Sequence, residues 1–540
     1  MTSTAASTPS QSSSTAGPGD PIGGVPGAPT GRRAEQLTSR VVTGMDAAPV
    51  TMSAPFTGLP VTALPQAGDA EVRRVFTRAR EAQTAWSDRT ARERQRVLLR
   101  LADLVLAHQQ EVLDLVQIEA GKARIDAFDE VSATALVASY YGKHSARHLA
   151  PRRAAGALPV LTKASEVRHP KGVVGIISPW NYPLALTAMD VLPALAAGNT
   201  VVQKPDNQTA LSALWLHELA GQAGLPTDAW QIVLGRGSAI GDALVEESDY
   251  LCFTGSTPTG KRLARQVAER LTSYSLELGG KNPMVVLPDA DIRKAAAGAV
   301  TACFSSAGQL CVSVERIYVH ESIHDEFVRA LAERTEELRL GAGLDYRSGM
   351  GSLTSQDQLH TVSAHVDDAR AAGANVVTGG RPRPDLGPLF YEPTVLTGVT
   401  EQAALFREET FGPVVAVYPY SDVDEAVARA NDTEFGLNAS VWTRDARRGE
   451  EVARRIKAGT VNVNEGYAAT FGTVGVPMGG MKESGVGRRN SAEGLLKYTE
   501  AQAVAVQRGL KLRPFRGMPP RLWAKAMSAG IAALRRLPRR

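Results

Sequence analysis

Apolar residues recur along this chain with two different periods, and the places where the period changes divide it. Over 69–120, Val97, Leu98, Leu101, Leu104, Val105, Val112 and Leu115 fall at steps of three and four, giving one apolar face; the stretch predicts two helices. Over 152–164 the periodicity is lost and a loop or hairpin is expected. From about 172 to 280, short apolar runs at Val173–Ile177, 200–202, 231–234, 250–253 and 275–278 each end in a Gly, Pro or Asn turn before a helical stretch. Strand–turn–helix units repeated this way predict a doubly wound α/β domain, whose ligands collect at the carboxyl ends of the strands. A second alternating series follows, with strands expected at 284–287, 316–319, 414–418 and 461–463.

The two ends are patterned differently. Residues 1 to about 31 are rich in Ser, Thr, Gly, Pro and Ala, with Asp20 the only charge, and predict a disordered leader. No basic start precedes an apolar block there, so a secretory signal is not expected. Near the other end Trp523, Met527, Ile531 and Leu534 share one helical face, with Lys525, Arg535 and Arg536 close by. Three readings cover that pattern: a basic amphipathic helix on an anionic membrane surface, a helix docked on its own protein, or a frayed tail.

Composition narrows the class. At 540 residues the chain is too long for one compact core, so two or three domains are expected. Hydrophobic residues at 43% and charged residues at 21% describe an ordinary soluble globular protein, and no apolar run reaches membrane-spanning length. The net charge of +4 hides an asymmetry: nine Lys or Arg and no acid lie in 511–540, so the rest has five more acids than bases. Nucleic-acid binding is therefore not implied for the body. The three cysteines, Cys252, Cys303 and Cys311, form no CxxC pair, and none of the nine histidines has metal-ligand spacing. This excludes a disulfide framework, predicts no metal, and suits the reducing cytoplasm. Cys252 and Cys303 lie in apolar runs and are expected to be core residues.

The candidate chemistry sits in the turns. Ile177 leads into Ser178-Pro179-Trp180-Asn181-Tyr182-Pro183, and Val202 into Gln203-Lys204-Pro205-Asp206-Asn207. Phe253 leads into Thr254-Gly255-Ser256, with Gly260 at a helix start, and Glu277-Leu278 precede Gly279-Gly280-Lys281-Asn282-Pro283. A small-residue approach, Phe304-Ser305-Ser306-Ala307-Gly308-Gln309-Leu310, delivers Cys311. Cysteine is a strong nucleophile once ionised, and Gly308 lets backbone come close without a side chain in the way. Singly these are loops and a buried cysteine; their joint order is far more specific.

The set PWNYPL, KP, FTGS with a glycine five positions after its own, ELGGKNP, GQLC, EETFGPV and SGVGR, in this order, resembles the aldehyde dehydrogenase superfamily over roughly 45–505. Glu277 and Cys311 are 34 residues apart, the spacing familiar in hydrolytic members, and GPLFYEPTVL and GLLKYTE resemble the second-type, NADP-dependent succinate-semialdehyde dehydrogenases of actinobacteria. The resemblance implies an α/β fold with a Rossmann-like NAD(P)-binding domain at 32–149 and 171–279 and an α/β catalytic domain at 280–495. A β extension at 150–170 and 496–508 would be completed by a neighbouring subunit in a homodimer or homotetramer, leaving 1–31 as leader and 509–540 as basic tail. It implies that the Cys311 thiolate attacks an aldehyde, that Asn181 and the Cys311 N–H receive the oxyanion, and that Glu277 activates the water that frees a carboxylic acid. Members that pass the acyl group to coenzyme A typically lack this base, so Glu277 favours the free acid. A non-catalytic protein on the same fold would be expected to lose Asn181, Glu277 or Cys311, and all are present.

The same resemblance implies a cofactor site. Ser256 and the amides after Gly255 would hold the pyrophosphate at a helix N-terminus, with Gly260 in its first turns. Lys204 would reach the adenine ribose, and Glu409 the nicotinamide ribose beside Phe411, with Trp180 and Leu278 lining the site. NAD-preferring relatives commonly carry an acid three residues after the lysine. Neutral Asn207 stands there and tolerates a 2′-phosphate, so NADP is expected with NAD also accepted; Asp206 next door works against this. Two departures concern the substrate side. Relatives often carry a lysine nine residues after the PWN asparagine and a glutamate after SGxGR. Here Asp190 and Arg489 reverse both charges, and an ion pair of swapped polarity near Glu277 is expected. Succinate-semialdehyde enzymes of another subgroup use arginines where this chain has Met189 and Ser305. Either another group, Arg489 among the candidates, binds a substrate carboxylate, or the aldehyde is a less charged aliphatic or aromatic one.

Overall fold

The computed structural model describes residues 19–44, 47–156, 162–508 and 513–536. They form two compact units, Met1–His148 with Pro170–Tyr498 and Leu149–His169 with Thr499–Arg540.

The larger unit is α/β and rests on two sheets. The six-stranded sheet runs in the order Gly485–Val486, Ser273–Glu277, Tyr250–Thr254, Val173–Ile177, Thr200–Lys204, Trp230–Ile232. All neighbours are parallel except Gly485–Val486, which runs antiparallel to Ser273–Glu277. Thr200–Lys204 and Tyr250–Thr254 are buried along their whole length, which is why 201–202 and 250–253 read as apolar without alternation, while Gln203 and Lys204 are buried polar residues at the end of their strand. From Val173–Ile177 the chain winds first towards Trp230–Ile232 and then, in the other direction, to Tyr250–Thr254. The switch point lies between Val173–Ile177 and Tyr250–Thr254, and the turns after Ile177 and Thr254 open there. The seven-stranded sheet runs Asn375–Thr378, Thr394–Thr397, Val414–Tyr420, Val314–His320, Asn282–Val286, Asn438–Trp442, Thr460–Val463, parallel except for its first pair. Its core is aliphatic, with Val285, Ile317, Val415 and Val441 fully buried.

Several elements differ from the sequence reading. Over 69–120 there are three helices, Asp69–Ser87, Ala91–Ala107 and Gln109–Ala120. A capping box restarts the second: Thr90 Oγ1 accepts from the Glu93 N–H while the Glu93 carboxylate accepts from the Thr90 N–H. The long helix Arg124–Leu149 escapes the periodicity argument because its buried face carries Arg124, Asp126, Glu130 and Thr134 among the apolar residues. The strands Asn375–Thr378, Thr394–Thr397 and Asn438–Trp442 were also not expected. Of the leader assigned to 1–31, residues 1–18 lie outside the described residues. Residues 19–31 pack, with Ile22 buried and Pro21 bridged to Thr30.

In the smaller unit Thr499–Gln507, Thr162–Pro170 and Arg152–Ala154 form one sheet in that order, the last two antiparallel. Part of the expected hairpin, 157–161, lies outside the described residues. Helix Pro520–Arg536 exposes its described side chains except Trp523 and Met527, which are partly covered; the Leu534 and Arg536 side chains lie outside the described residues. Among the described residues no helix is long and apolar enough to cross a membrane.

Candidate active site

Helix Ile292–Phe304 ends against a tight turn, Ser305–Gly308, in which Ser306, Ala307 and Gly308 all have positive φ (51°, 55° and 72°). Glycine is required at 308, since a Cβ there would lie 2.0 Å from the Gly412 carbonyl oxygen. Three side chains then fix the backbone around Cys311. Asn282 Nδ2 donates to the Cys311 and Ser313 carbonyls (2.8 and 2.6 Å), and Gln309 Oε1 accepts from the Thr354 N–H (2.9 Å). Asn181 Nδ2 donates to the Gln309 carbonyl (3.0 Å).

Asn181 is itself held by a buried pair. Lys122 Nζ lies 2.6 Å from Glu130 Oε1 and donates to the Asn181 carbonyl at 2.7 Å. The other Glu130 oxygen accepts from the Leu184 and Ala185 N–H groups (2.9 and 3.0 Å), the unpaired first turn of helix Pro183–Ala196. Glu130 thus caps from a distance the helix that opens beside Asn181.

A cavity of about 250 Å³ opens in front of Cys311. Asn181, Glu277 and Cys311 all line it, and so do Trp180, Gly255, Ser256, Leu278, Glu409 and Phe411. Lys204, Asn207 and Gly260 stand outside its wall. Gly260 spaces its helix from the sheet, because a Cβ there would meet Leu278 Cδ2 at 2.6 Å. Lys204 is buried with Nζ on the Pro205 carbonyl, and burial lowers its pKa. Asn207 Nδ2 donates to Gln66 Oε1 (3.0 Å), while its Oδ1 is buried without a partner.

The cavity is rich in buried ionisable groups. Burial pushes Glu277 up to about 7, against the pull of Arg489 and Lys497, and its Oε1 has no hydrogen-bond partner. Burial pushes the Cys311 thiol up to about 12, so it is protonated at rest although its side chain is partly accessible. Glu409, pushed up to about 8 by burial, accepts the Gly280 N–H at 2.7 Å.

The residues fit a dinucleotide. Helix Thr257–Ala268 presents its N-terminus with no side-chain cap, and the Ser256 hydroxyl touches only Thr259 (3.0 Å), which leaves first-turn N–H groups for a phosphate. The 409–411 loop is anchored from behind: Glu315 accepts the Thr410 and Phe411 N–H groups and pairs with buried Lys281 at 2.5 Å. Phe411, at φ 51°, stands edge-on to Trp180 with ring centres 5.5 Å apart. Gln358, on the cavity wall, donates from Nε2 to the Thr410 and Phe411 carbonyls (3.0 and 2.8 Å). Sequence reasoning gave no role to Lys122, Glu130, Glu315 or Gln358, and none to Lys281 although it sits inside a quoted motif. Only Glu315 carried a signal, a single carboxylate inside the largely apolar run 312–319. Among the described residues no three His, Cys, Asp or Glu side chains converge on a metal-sized site.

The structure brings Asp190 and Arg489 together as a buried bidentate pair, Nε–Oδ1 at 3.0 Å with Nη2 on Oδ2. Arg489 Nη2 also donates to Thr254 Oγ1. This corrects one expectation: Arg489 is committed to protein partners and is not free to receive a substrate carboxylate. Met189 is buried within helix Pro183–Ala196, and the Ser305 hydroxyl and Ser306 N–H face Asp126, whose carboxyl burial pushes up to about 7.

Residues 42–504 match the aldehyde dehydrogenase family. A Mycolicibacterium smegmatis protein described as a putative succinate-semialdehyde dehydrogenase [NADP(+)] is 52% identical over 485 residues, 90% of this chain and 94% of that protein. The crystal structure of an E. coli NADP-dependent enzyme superposes with a TM-score of 0.84 at 34% identity, covering 88% of this chain and 99% of that one. An NAD-dependent aldehyde dehydrogenase from Sinorhizobium meliloti gives a TM-score of 0.84 at 33% identity, covering 90% and 97%.

Proposed function

The chain belongs to the aldehyde dehydrogenase family, and on that premise we propose that it oxidises succinate semialdehyde to succinate with NADP, NAD serving in its place. The observation that carries this reading is the convergence of Asn181, Glu277 and Cys311 on one cavity, beside an uncapped helix N-terminus and Glu409.

Each residue has a role that follows from its chemistry. At its resting pKa Cys311 must lose a proton before it can attack, and Glu277, near 7 with an unpartnered oxygen, is the base at hand. The thiolate forms a C–S bond to the aldehyde carbon, and the carbonyl π electrons move to oxygen. The Asn181 amide and the Cys311 N–H donate to that oxygen, with Lys122 holding the Asn181 backbone in place. When bound, the nicotinamide supplies the two-electron acceptor that turns this adduct into a thioester. Ser256 and the helix behind it would hold the pyrophosphate, and Glu409 the nicotinamide ribose. Glu277 releases the thiol's proton to solvent through the cavity it lines, and the regenerated carboxylate then takes a proton from water as the water oxygen attacks the thioester carbon. The C–S bond breaks, the acid leaves and the thiolate returns.

A second reading is favoured by the substrate side. Where other semialdehyde enzymes have arginines, this chain offers Met189 and a Ser305 turned to Asp126, and Tyr467 OH lies 3.5 Å from Asp129. A carboxylate would meet acids there, so an uncharged aliphatic or aromatic aldehyde is the alternative. Initial rates with NAD and NADP, crossed against succinate semialdehyde, a medium-chain aldehyde and benzaldehyde, separate the two. Saturation at low micromolar succinate semialdehyde alone supports the first reading, and saturation by an uncharged aldehyde alone supports the second.

Subunit association through the Thr499–Gln507 sheet into a homodimer or homotetramer completes the proposal, since the outward side chains of that strand are exposed. The three thiols are free, which suits a cytoplasmic location. The exposed basic helix Pro520–Arg536 suits contact with an anionic membrane surface. Unchanged liposome co-sedimentation after deletion of 515–540 would dismiss that contact.

A further inference from the structure

Behind Glu277 lies a group of charges that the reaction as described does not use. Thr254 and Glu277 are register partners on adjacent parallel strands, so their side chains leave the same face of the sheet. Thr254 forms part of the cavity wall, and its hydroxyl accepts from Arg489, so a single hydroxyl separates the guanidinium from the cavity. On its other side Glu277 pairs with Gly485, which offers no side chain. Arg489 is fixed at both ends. Its backbone exchanges two hydrogen bonds with Met478 (2.9 and 2.6 Å), and its guanidinium is clamped by Asp190. Asp190 in turn receives Lys497 Nζ at 3.5 Å and Tyr498 OH at 3.4 Å. Arg489 and Asp190 are each about 2% exposed.

We propose that Arg489, clamped by Asp190 and Thr254, is a positioning residue for the hydrolytic half of the reaction: a fixed cation that governs the protonation of Glu277 without itself passing a proton. The proposal rests on the functional reading above.

The chemistry of the pair supports it. Arginine does not deprotonate in a protein. Burial alone would raise Asp190, but Arg489 and then Lys497 outweigh it and hold the carboxyl at about 2. Neither partner titrates near neutral pH, so the pair acts by charge and geometry only. The ionisable groups that face Glu277 are Asp190, Arg488, Arg489 and Lys497, with Cys311 and Glu409 on the cavity side, Glu409 pushed up to about 8 by burial. Burial holds Cys311 as the thiol and Glu409 mostly protonated at neutral pH, which leaves three cations and one anion. The positive excess opposes the burial that raises Glu277, and Arg489 is its strongest member. Arg489 is also the strongest charge favouring the Cys311 thiolate. The proton that Glu277 removes from water therefore leaves by way of the cavity, because the carboxylate behind it, Asp190, is held at about 2 by Arg489 and Lys497 and does not take it up.

The test uses the full-length protein and two pH profiles. One is kcat for aldehyde oxidation. The other is the deacylation rate after p-nitrophenyl acetate, an activated ester, has acylated Cys311 without cofactor. Arg489→Gln removes a positive charge and moves the acid limb of both profiles upward by about one pH unit, with roughly tenfold slower deacylation at neutral pH. Asp190→Asn removes the opposing anion and moves the limb downward. Arg489→Lys keeps the charge and restores the limb, with rates still reduced because the clamp loses its bidentate geometry. If Arg489→Gln fails to fold, the downward shift in Asp190→Asn and the restored limb in Arg489→Lys decide the matter. Slower rates with an unmoved limb, or equal shifts of one sign in Gln and Asn variants, overturn the proposal alone. A wild-type protein that oxidises none of the three aldehydes overturns the functional reading and this proposal with it.

Discussion

Replacing Lys122 with methionine tests whether Asn181 is set by the buried pair beneath it. Lys122 and Glu130 are 2% and 0% exposed, and the ammonium also bonds the Asn181 carbonyl. Lys122→Met leaves Glu130 as an unpaired buried carboxyl, a loss of about 3–5 kcal/mol. Part of that loss is relieved by proton uptake, since burial already raises Glu130 and Lys122 is the strongest charge holding it down. Protonated Glu130 accepts the Leu184 and Ala185 N–H groups less strongly, the first turn of helix Pro183–Ala196 loosens, and the Asn181 amide shifts. A displacement of about 1 Å lowers kcat by about 10²-fold. In Lys122→Met/Glu130→Gln no charge remains, so stability returns to within about 1–2 kcal/mol of wild type while kcat stays low, because the Asn181 carbonyl is still unheld. Urea midpoints followed by tryptophan fluorescence, with kcat measured on the same samples, give both quantities. A single variant that loses less than about 1 kcal/mol, or a double variant whose loss equals the sum of the singles, would refute the coupling.

Gly308→Ala forces a Cβ to 2.0 Å from the Gly412 oxygen at a φ of 72°, and is expected to lower kcat by about 10²-fold with little change in cofactor Kd; wild-type kcat would show that this contact is not tight. Cys311→Ser is expected to abolish aldehyde oxidation while nucleotide binding by fluorescence titration persists, and full turnover would remove the cysteine from the mechanism. If Asn207 faces the adenine ribose, as the resemblance implies, Asn207→Asp should lower the NADP-to-NAD ratio of kcat/KM by about tenfold, an unchanged ratio placing specificity elsewhere. Burial holds Glu119 and Glu409 at about 8 and Asp126 and Glu277 at about 7, all above their unfolded values. A folded state that binds protons more tightly than the unfolded chain is stabilised fully only below the unfolded pKa. Stability should therefore fall as pH rises from about 5 to about 8, by up to about 1.4 kcal/mol per pH unit for each group, and the thermal midpoint with it; a rising midpoint contradicts these assignments.

The strands around the switch point were legible because a strand covered on both faces must be apolar without interruption, as Val173–Ile177 and Tyr250–Thr254 are. The turns that carry Asn181, Ser256, Glu277 and Cys311 were legible for the opposite reason: small and polar residues break those runs at strand ends. Elements whose burial is polar stayed hidden. Helix Arg124–Leu149 packs Glu130 and Asp126 inward, and no periodicity of apolar residues announces a carboxylate that will find a lysine eight residues earlier. The anchoring of the 409–411 loop by Glu315 and Lys281 was hidden likewise, since pairing across 34 residues leaves no local trace. The Asp190–Arg489 pair was readable only because two reversed charges could be set against the commoner arrangement, and its clamp on Thr254 was not readable at all.

The inverted polarity of that pair has a consequence for inheritance. Its members are 299 residues apart, yet each is acceptable only with the other. A hybrid gene joining this chain to a relative of opposite polarity, with its crossover anywhere between the two positions, would bury two carboxylates or two cations face to face. Neither single exchange is a viable stepping stone, so the two polarities behave as separate lineages that shuffling does not easily mix. Libraries built by recombination should show this as a sharp deficit of survivors with breakpoints inside that interval.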